Sequence, residues 1–238
     1  MTFKSVVAVV LVLAVSVACQ DDAVTRGIEL KMKATSSEST IGGGRVAGGR
    51  LTANTFTFTE VMVGLEELEF ETEEEDDSEN QSGQEDDSEK VEFEGNFQVD
   101  LIAGTATPDF GLGNLQPGTY DKIEMDLAPV LPSGQTISIK FTLNEVNYEF
   151  TSNEEFEIEI ENLSGYELAA ASVSNILILL NLDTLMGDVS LANAEADEDG
   201  VVRINSGSNV DIYDDILDAL EDSCDAGKDD DDDDEIDG

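Results

Sequence analysis

The feature that most constrains this chain is a period of two. GIELKMKA puts Ile28, Leu30, Met32 and Ala34 on one side of an extended segment, and VEFEGNFQVDLI does the same with Val91, Phe93, Phe97, Val99 and Leu101. Successive side chains of a strand point to opposite faces, so this alternation predicts half-buried strands. TFTFTEVMVGLEELEFE (Thr55 to Glu71) continues it through Phe56, Phe58, Val61, Val63, Leu68 and Phe70. Its spacing slips between Gly64 and Glu67, as a bulge or a turn between two strands would make it. Further alternating segments run through Ile123/Met125/Leu127, Ile139/Phe141, Val146/Tyr148/Phe150 and Phe156/Ile158/Ile160.

Turn signals separate these segments. Gln116-Pro117-Gly118-Thr119 carries proline and glycine at the centre of a type II turn, and LPSGQ turns the chain again. Strands at this spacing predict an all-β fold, an antiparallel β-sandwich of immunoglobulin- or transthyretin-like general architecture over residues 27–205. SNILILLNL is apolar on nearly every residue and is expected to be the most buried strand. DTLMGDVSLANA suits a short helical turn, and VVRIN a final strand. Ser208-Asn209 offers a cap for a helix over residues 206–224, with Ile212, Ile216, Leu217 and Leu220 on one face. Its acidic C-terminal end opposes the helix dipole, so it needs docking on the sandwich to persist.

Three stretches read as unstructured. Residues 36–50 form a flexible Gly/Ser-rich loop, and 72–90 an acidic insert that cannot bury apolar area and projects from the tip of a hairpin. Residues 225–238 read as a disordered acidic tail.

The polar positions are overwhelmingly acidic: 55 Asp and Glu against 11 Lys and Arg, a formal charge of −44. Such a field repels nucleic-acid phosphate and anionic bilayers, so no nucleic acid is expected as a partner. It keeps the chain soluble and tolerates cations, basic proteins and neutral ligands. There is no His or Trp, and only Cys19 and Cys224. A Ser-His-Asp triad and an ordinary zinc site are therefore excluded.

The amino terminus sets the address. Met1 to Lys4 brings one positive charge, and SVVAVVLVLAVSV (Ser5 to Val17) has the length of a signal-peptide core, too short to span a bilayer comfortably. Residues 1–18 are read as a signal peptide. Ser16-Val17-Ala18 suits ordinary signal peptidase, and followed by Cys19 it also resembles the lipobox of bacterial lipoproteins. That resemblance implies acylation of Cys19, with 19–26 as a tether. Gln20, by similarity to Gram-negative lipoproteins, implies sorting to the outer membrane, and QDD is similar to a surface-export signal of Bacteroidota. Cys224 is then either a free thiol or, if Cys19 is unmodified, its disulfide partner.

DLIAG, LQPGTY and IEMDL together resemble a family of exported bacterial domains of unknown function. In that family a "DLL" strand leads through a loop into "pGtY" and a further strand. FTEVMVGLEELEFE and LILLNLDTL are similar to other strands of that pattern, over about residues 56–185. The resemblance implies an exported, mainly β, often lipid-anchored protein and supplies no catalytic residues.

One stretch invites a metal. With Gly200 as the sixth residue of a calcium loop, ANAEADEDGVVRIN places Glu195, Asp197 and Asp199 at positions one, three and five and Val202 at eight; Ser206 replaces the bidentate Glu at twelve. An acidic turn before a strand is the plainer reading. No cofactor is expected beyond weak calcium there. The expectation is thus a non-enzymatic, lipid-anchored envelope protein of a Gram-negative outer membrane or cell surface, with a structural role or an envelope protein or divalent cation as partner. A calcium-responsive adhesion module and a carboxylate-dependent hydrolase are the alternatives.

Overall fold

The computed structural model describes residues 27–37, 40–41, 56–71, 91–113, 118–168, 173–231 and 233–237. Cys19, the signal and tether segments, the acidic insert, Gln116 and Pro117 of the expected turn and most of the Gly/Ser loop lie outside them. In chain order the strands are β1 (Gly27–Thr35), β2 (Thr40–Ile41), β3 (Thr57–Glu71), β4 (Val91–Asp100), β5 (Thr105–Thr107), β6 (Leu112–Gly113) and β7 (Gly118–Leu127). Then come β8 (Ile137–Leu143), β9 (Val146–Ser152), β10 (Phe156–Leu168), β11 (Val173–Asn181), the short helix α1 (Leu182–Leu185), β12 (Val201–Ile204), α2 (Val210–Asp218) and β13 (Cys224–Lys228).

These strands form an all-β sandwich of two open sheets. One is ordered β13-β11-β1-β6. The other follows β10-β7-β3-β8-β9-β12, with β2 and β4 also on β3 and β5 on β4. The expected antiparallel pairing needs correction, because β1–β11, β9–β12 and β2–β3 run parallel. β1–β11 and β9–β12 join strands far apart in sequence, and β2 is separated from β3 by more than a tight turn, so no hairpin dictates direction. The pair of β2 with β3 also gives the expected Gly/Ser loop a structured beginning.

β3 organises the larger sheet. Along one edge it pairs with β8 up to Val63 and with β7 from Leu65, while β4 lies on the other edge from Met62 to Phe70. The slip read from the sequence is a bulge between Leu65 and Glu67, so this is one strand and not two. At the hand-over Gly64 donates its N–H to Thr136 at 2.7 Å, and a Cβ there would lie 2.4 Å from the Ala128 carbonyl oxygen. Only glycine admits that approach. β4 returns beside β3 across the acidic insert, as the hairpin expectation has it.

Between the sheets, Ile28, Leu30 and Met32 of β1 and Ile176, Ile178 and Leu180 of β11 face the inward residues of β3, β4, β7 and β8, such as Leu68, Phe93, Met125 and Ile139. Each such side chain contributes about 1.5–3 kcal/mol by leaving water. Leu177, on the opposite side of β11, is also fully buried. The carboxyl-terminal chain accounts for this burial and corrects the reading of a disordered tail. β13 pairs antiparallel with β11, setting Gly227 opposite Leu177. The chain then turns back, with Asp229 N–H bonded to the Asn175 carbonyl (3.1 Å) and Asp237 N–H to the Lys228 carbonyl (2.8 Å). Ile236 returns onto Gly227. Lys31 and Lys33, on the outward positions of β1, both hold Asp234. These ammonium groups offset the self-repulsion that made the run read as a free tail.

The expected helix is shorter than 206–224: α2 ends at Asp218, and a single 3-10 turn at Glu221–Ser223 leads into β13. Its face is much as expected, with Ile212, Tyr213, Ile216 and Leu220 buried against the sandwich. Asn209 precedes α2 in the left-handed region (φ 53°) and makes no side-chain cap. α1 is capped instead as expected of an Asn: Asn181 Oδ1 accepts from Asp183 N (3.0 Å) and Thr184 N (3.1 Å).

Candidate functional site: an acidic sheet face

The outward positions of β10, β7, β3 and β4 line up in register. One row is Glu157, Asp126, Glu67 and Glu94; the next is Glu159, Glu124, Glu69 and Glu92; the third is Glu161, Lys122 and Glu71. Like charges directly opposite each other across a sheet destabilise it. The same sheet manages its charge differently toward the other end of β3. Across β3, β8, β9 and β12 the row reads Glu60, Lys140, Glu149, Arg203, with contacts of 2.8, 3.9 and 3.6 Å. One half of the sheet alternates its signs, and the other concentrates one sign.

Lys122 is the single cation in the three acidic rows. Its Nζ lies 2.9 Å from both Glu71 and Glu124 and 3.3 Å from Glu159. Glu124 and Glu71, with Glu159 behind them, raise its affinity for the proton above the ordinary lysine value. Farther along, the carboxylates crowd one another. A hydrogen bond shared with Glu92, then burial, then Glu69 push Glu67 up to about 8. Burial, followed by the fields of Glu124, Glu69 and Glu155, raises Asp126 as well. Oxygen atoms of Glu67, Glu92 and Glu94 lie within 4.8 Å of one another, as do those of Glu124, Asp126 and Glu157. A proton held at neutral pH is what such crowding produces.

The sequence-derived calcium residues fall elsewhere. Asp197 and Asp199 do come together, but on Arg203: its guanidinium reaches Asp197 Oδ2 at 2.6 Å and Asp199 Oδ2 at 2.8 Å. The hydrogen bonds from Arg203 and from Val201 N–H hold Asp199 down at about 2. Glu195 is tied through its main chain to Asn209, whose side chain accepts from Glu195 N (2.8 Å) and donates to Glu195 O (3.0 Å). Val202 is buried in β12. A cation entering this turn competes with a guanidinium that already pairs with both carboxylates. Arg203 was findable in the sequence, since Val202 and Ile204 point inward and turn the residue between them toward the acidic loop.

Cys224 is a free thiol whose burial, together with Glu221 and Asp225, pushes it up to about 12, which keeps it in the protonated form at neutral pH. Cys19, the expected lipidation site, lies outside the described residues. Among those residues no helix is long and apolar enough to cross a membrane. No protein family, curated protein or solved structure matches the chain.

Proposed function

We propose that this chain is a lipid-anchored envelope protein without catalysis of its own, which presents the acidic sheet face to a basic partner protein. The carrying observation is the set of three registered rows, ten carboxylates around one lysine. A sheet that pairs its charges in one half and crowds a single sign in the other loses stability that a cationic surface would restore on docking. Such complementarity chiefly speeds encounter and fixes orientation. The anchor rests on the sequence. Acylation at Cys19 would leave residues 19–26, a tether of about 28 Å at full extension, between the bilayer and the start of β1.

Two measurements test this reading. Intact mass of the mature protein should show a diacylglycerol-sized increment, and Cys19→Ser should release the chain from the membrane fraction. An unmodified mass, or a variant that stays membrane-bound, removes the anchor. A decalysine peptide should bind with a salt-dependent on-rate that Glu69→Gln, Glu92→Gln and Glu124→Gln together lower by about tenfold. An on-rate unchanged by the triple variant removes the face.

A further inference from the structure

Beyond the acidic face, the alternating half of the same sheet forms the floor of a groove of about 590 Å³. That size falls within the range of small-ligand sites. β3, β8 and β9 supply the floor through Glu60, Ser138, Lys140 and Glu149, and the turn after β7 supplies a wall. The polar groups are mutually braced. Ser138 Oγ donates to Glu60 Oε1 at 2.7 Å, Lys140 Nζ to Glu60 Oε2 at 2.9 Å, and Lys140 stands 3.9 Å from Glu149. Ser138 is buried beneath them. Met62, Leu131 and Pro132 add apolar surface, and Ser133 Oγ donates to Gln135 Oε1 at 2.6 Å on the rim.

We infer that this groove binds a neutral carbohydrate. A sugar hydroxyl both donates and accepts, so vicinal hydroxyls match a floor on which carboxylates and an ammonium alternate. The apolar wall suits the C–H face of a pyranose ring. Anions are repelled by the net −44, and the two floor carboxylates already share Lys140 as their cation. Burial raises Glu60, but hydrogen bonds from Lys140 and Ser138 outweigh it and hold the carboxyl below its ordinary 4.5. A glycosidase acid needs the opposite shift.

The test is an amide NMR titration of the protein with maltohexaose, cellohexaose, xylohexaose and mannohexaose, each up to millimolar concentration. At least one should shift resonances of Glu60, Ser138, Lys140 and Glu149 in a saturable manner. Lys140→Met should weaken that binding by about tenfold or more. Ser133→Trp, an exposed substitution on the rim that leaves the ion pairs intact, should abolish it by filling the mouth. The assignment is overturned if no oligosaccharide shifts these residues, if both variants bind as the parent does, or if hexalysine shifts them where the sugars do not. Neither anchoring nor the decalysine on-rate bears on this outcome.

Discussion

The hydroxyls of Tyr213 and Ser152 meet at 2.9 Å in the interior, joining α2 to the end of β9. Both residues are buried, the Tyr213 ring stacks on Phe150 with centroids 5.6 Å apart, and Ser152 Oγ also accepts from Glu154 N at 3.2 Å. This contact lets a short helix with acidic residues near its C-terminal end persist. Tyr213→Phe keeps the ring and removes one hydrogen bond, so it should lower stability by about 1 kcal/mol. Tyr213→Ala also empties the ring site and should cost about 3–5 kcal/mol. Urea unfolding of the two variants separates the terms; equal midpoints would mean that the hydroxyl, and not the ring, seats the helix.

The return of the carboxyl-terminal chain depends on Gly227. A Cβ at this position would lie 2.1 Å from Ile236 Cγ2. Gly227→Val should therefore displace Ile236, uncover Leu177 and destabilise the domain by about 1–3 kcal/mol. Hydrogen exchange over residues 229–237 should rise sharply in this variant. Lys31→Ala with Lys33→Ala should raise the same exchange by removing the partners of Asp234, without touching Gly227.

The alternation in β1, β3 and β4 made the sandwich legible, because a period of two states which side of each strand is buried. It does not state which strand lies beside which, so the parallel pairs stayed hidden. Register is also what turns scattered glutamates into three rows. Glu69, Glu92 and Glu124 each read as an ordinary outward residue until the sheet sets them side by side. The tail misled for a related reason: DDDDDD is self-repelling on its own, and the lysines that hold Asp234 sit about two hundred residues earlier on β1.

Crowding at Glu67 predicts an unusual pH response. The folded protein holds that proton up to about 8, whereas the unfolded chain releases it near the ordinary 4.5. Its favourable share of stability is complete below 4.5 and is lost as pH rises through 8. Glu67→Gln should flatten the decline between those values in thermal melts taken across pH. A wild-type slope that survives the substitution would place the proton elsewhere in the cluster.

Thr136 carries the one buried side-chain polar atom without a hydrogen-bond partner among the described residues. An unpaired hydroxyl in the interior is a burden, and Val has nearly its shape. Thr136→Val should stabilise by about 1 kcal/mol, seen as a melting temperature about 2–4 °C higher. A lower melting temperature would show that the hydroxyl serves a partner in solution.

Arg203 determines what the acidic turn before β12 can bind. Its guanidinium bonds Asp197 and both oxygens of Asp199, so these two carboxylates already have a cationic partner. Calcium titration of the parent chain should give no heat that Asp197→Ala with Asp199→Ala removes. Arg203→Met frees both carboxylates and should create such a heat, weak and in the millimolar range typical of extracellular sites. The same variant should let Asp199 rise from about 2 toward its ordinary 3.8, measurable by carboxyl NMR. If the parent already binds calcium through these aspartates, the guanidinium yields to the ion, and the turn is a metal site after all.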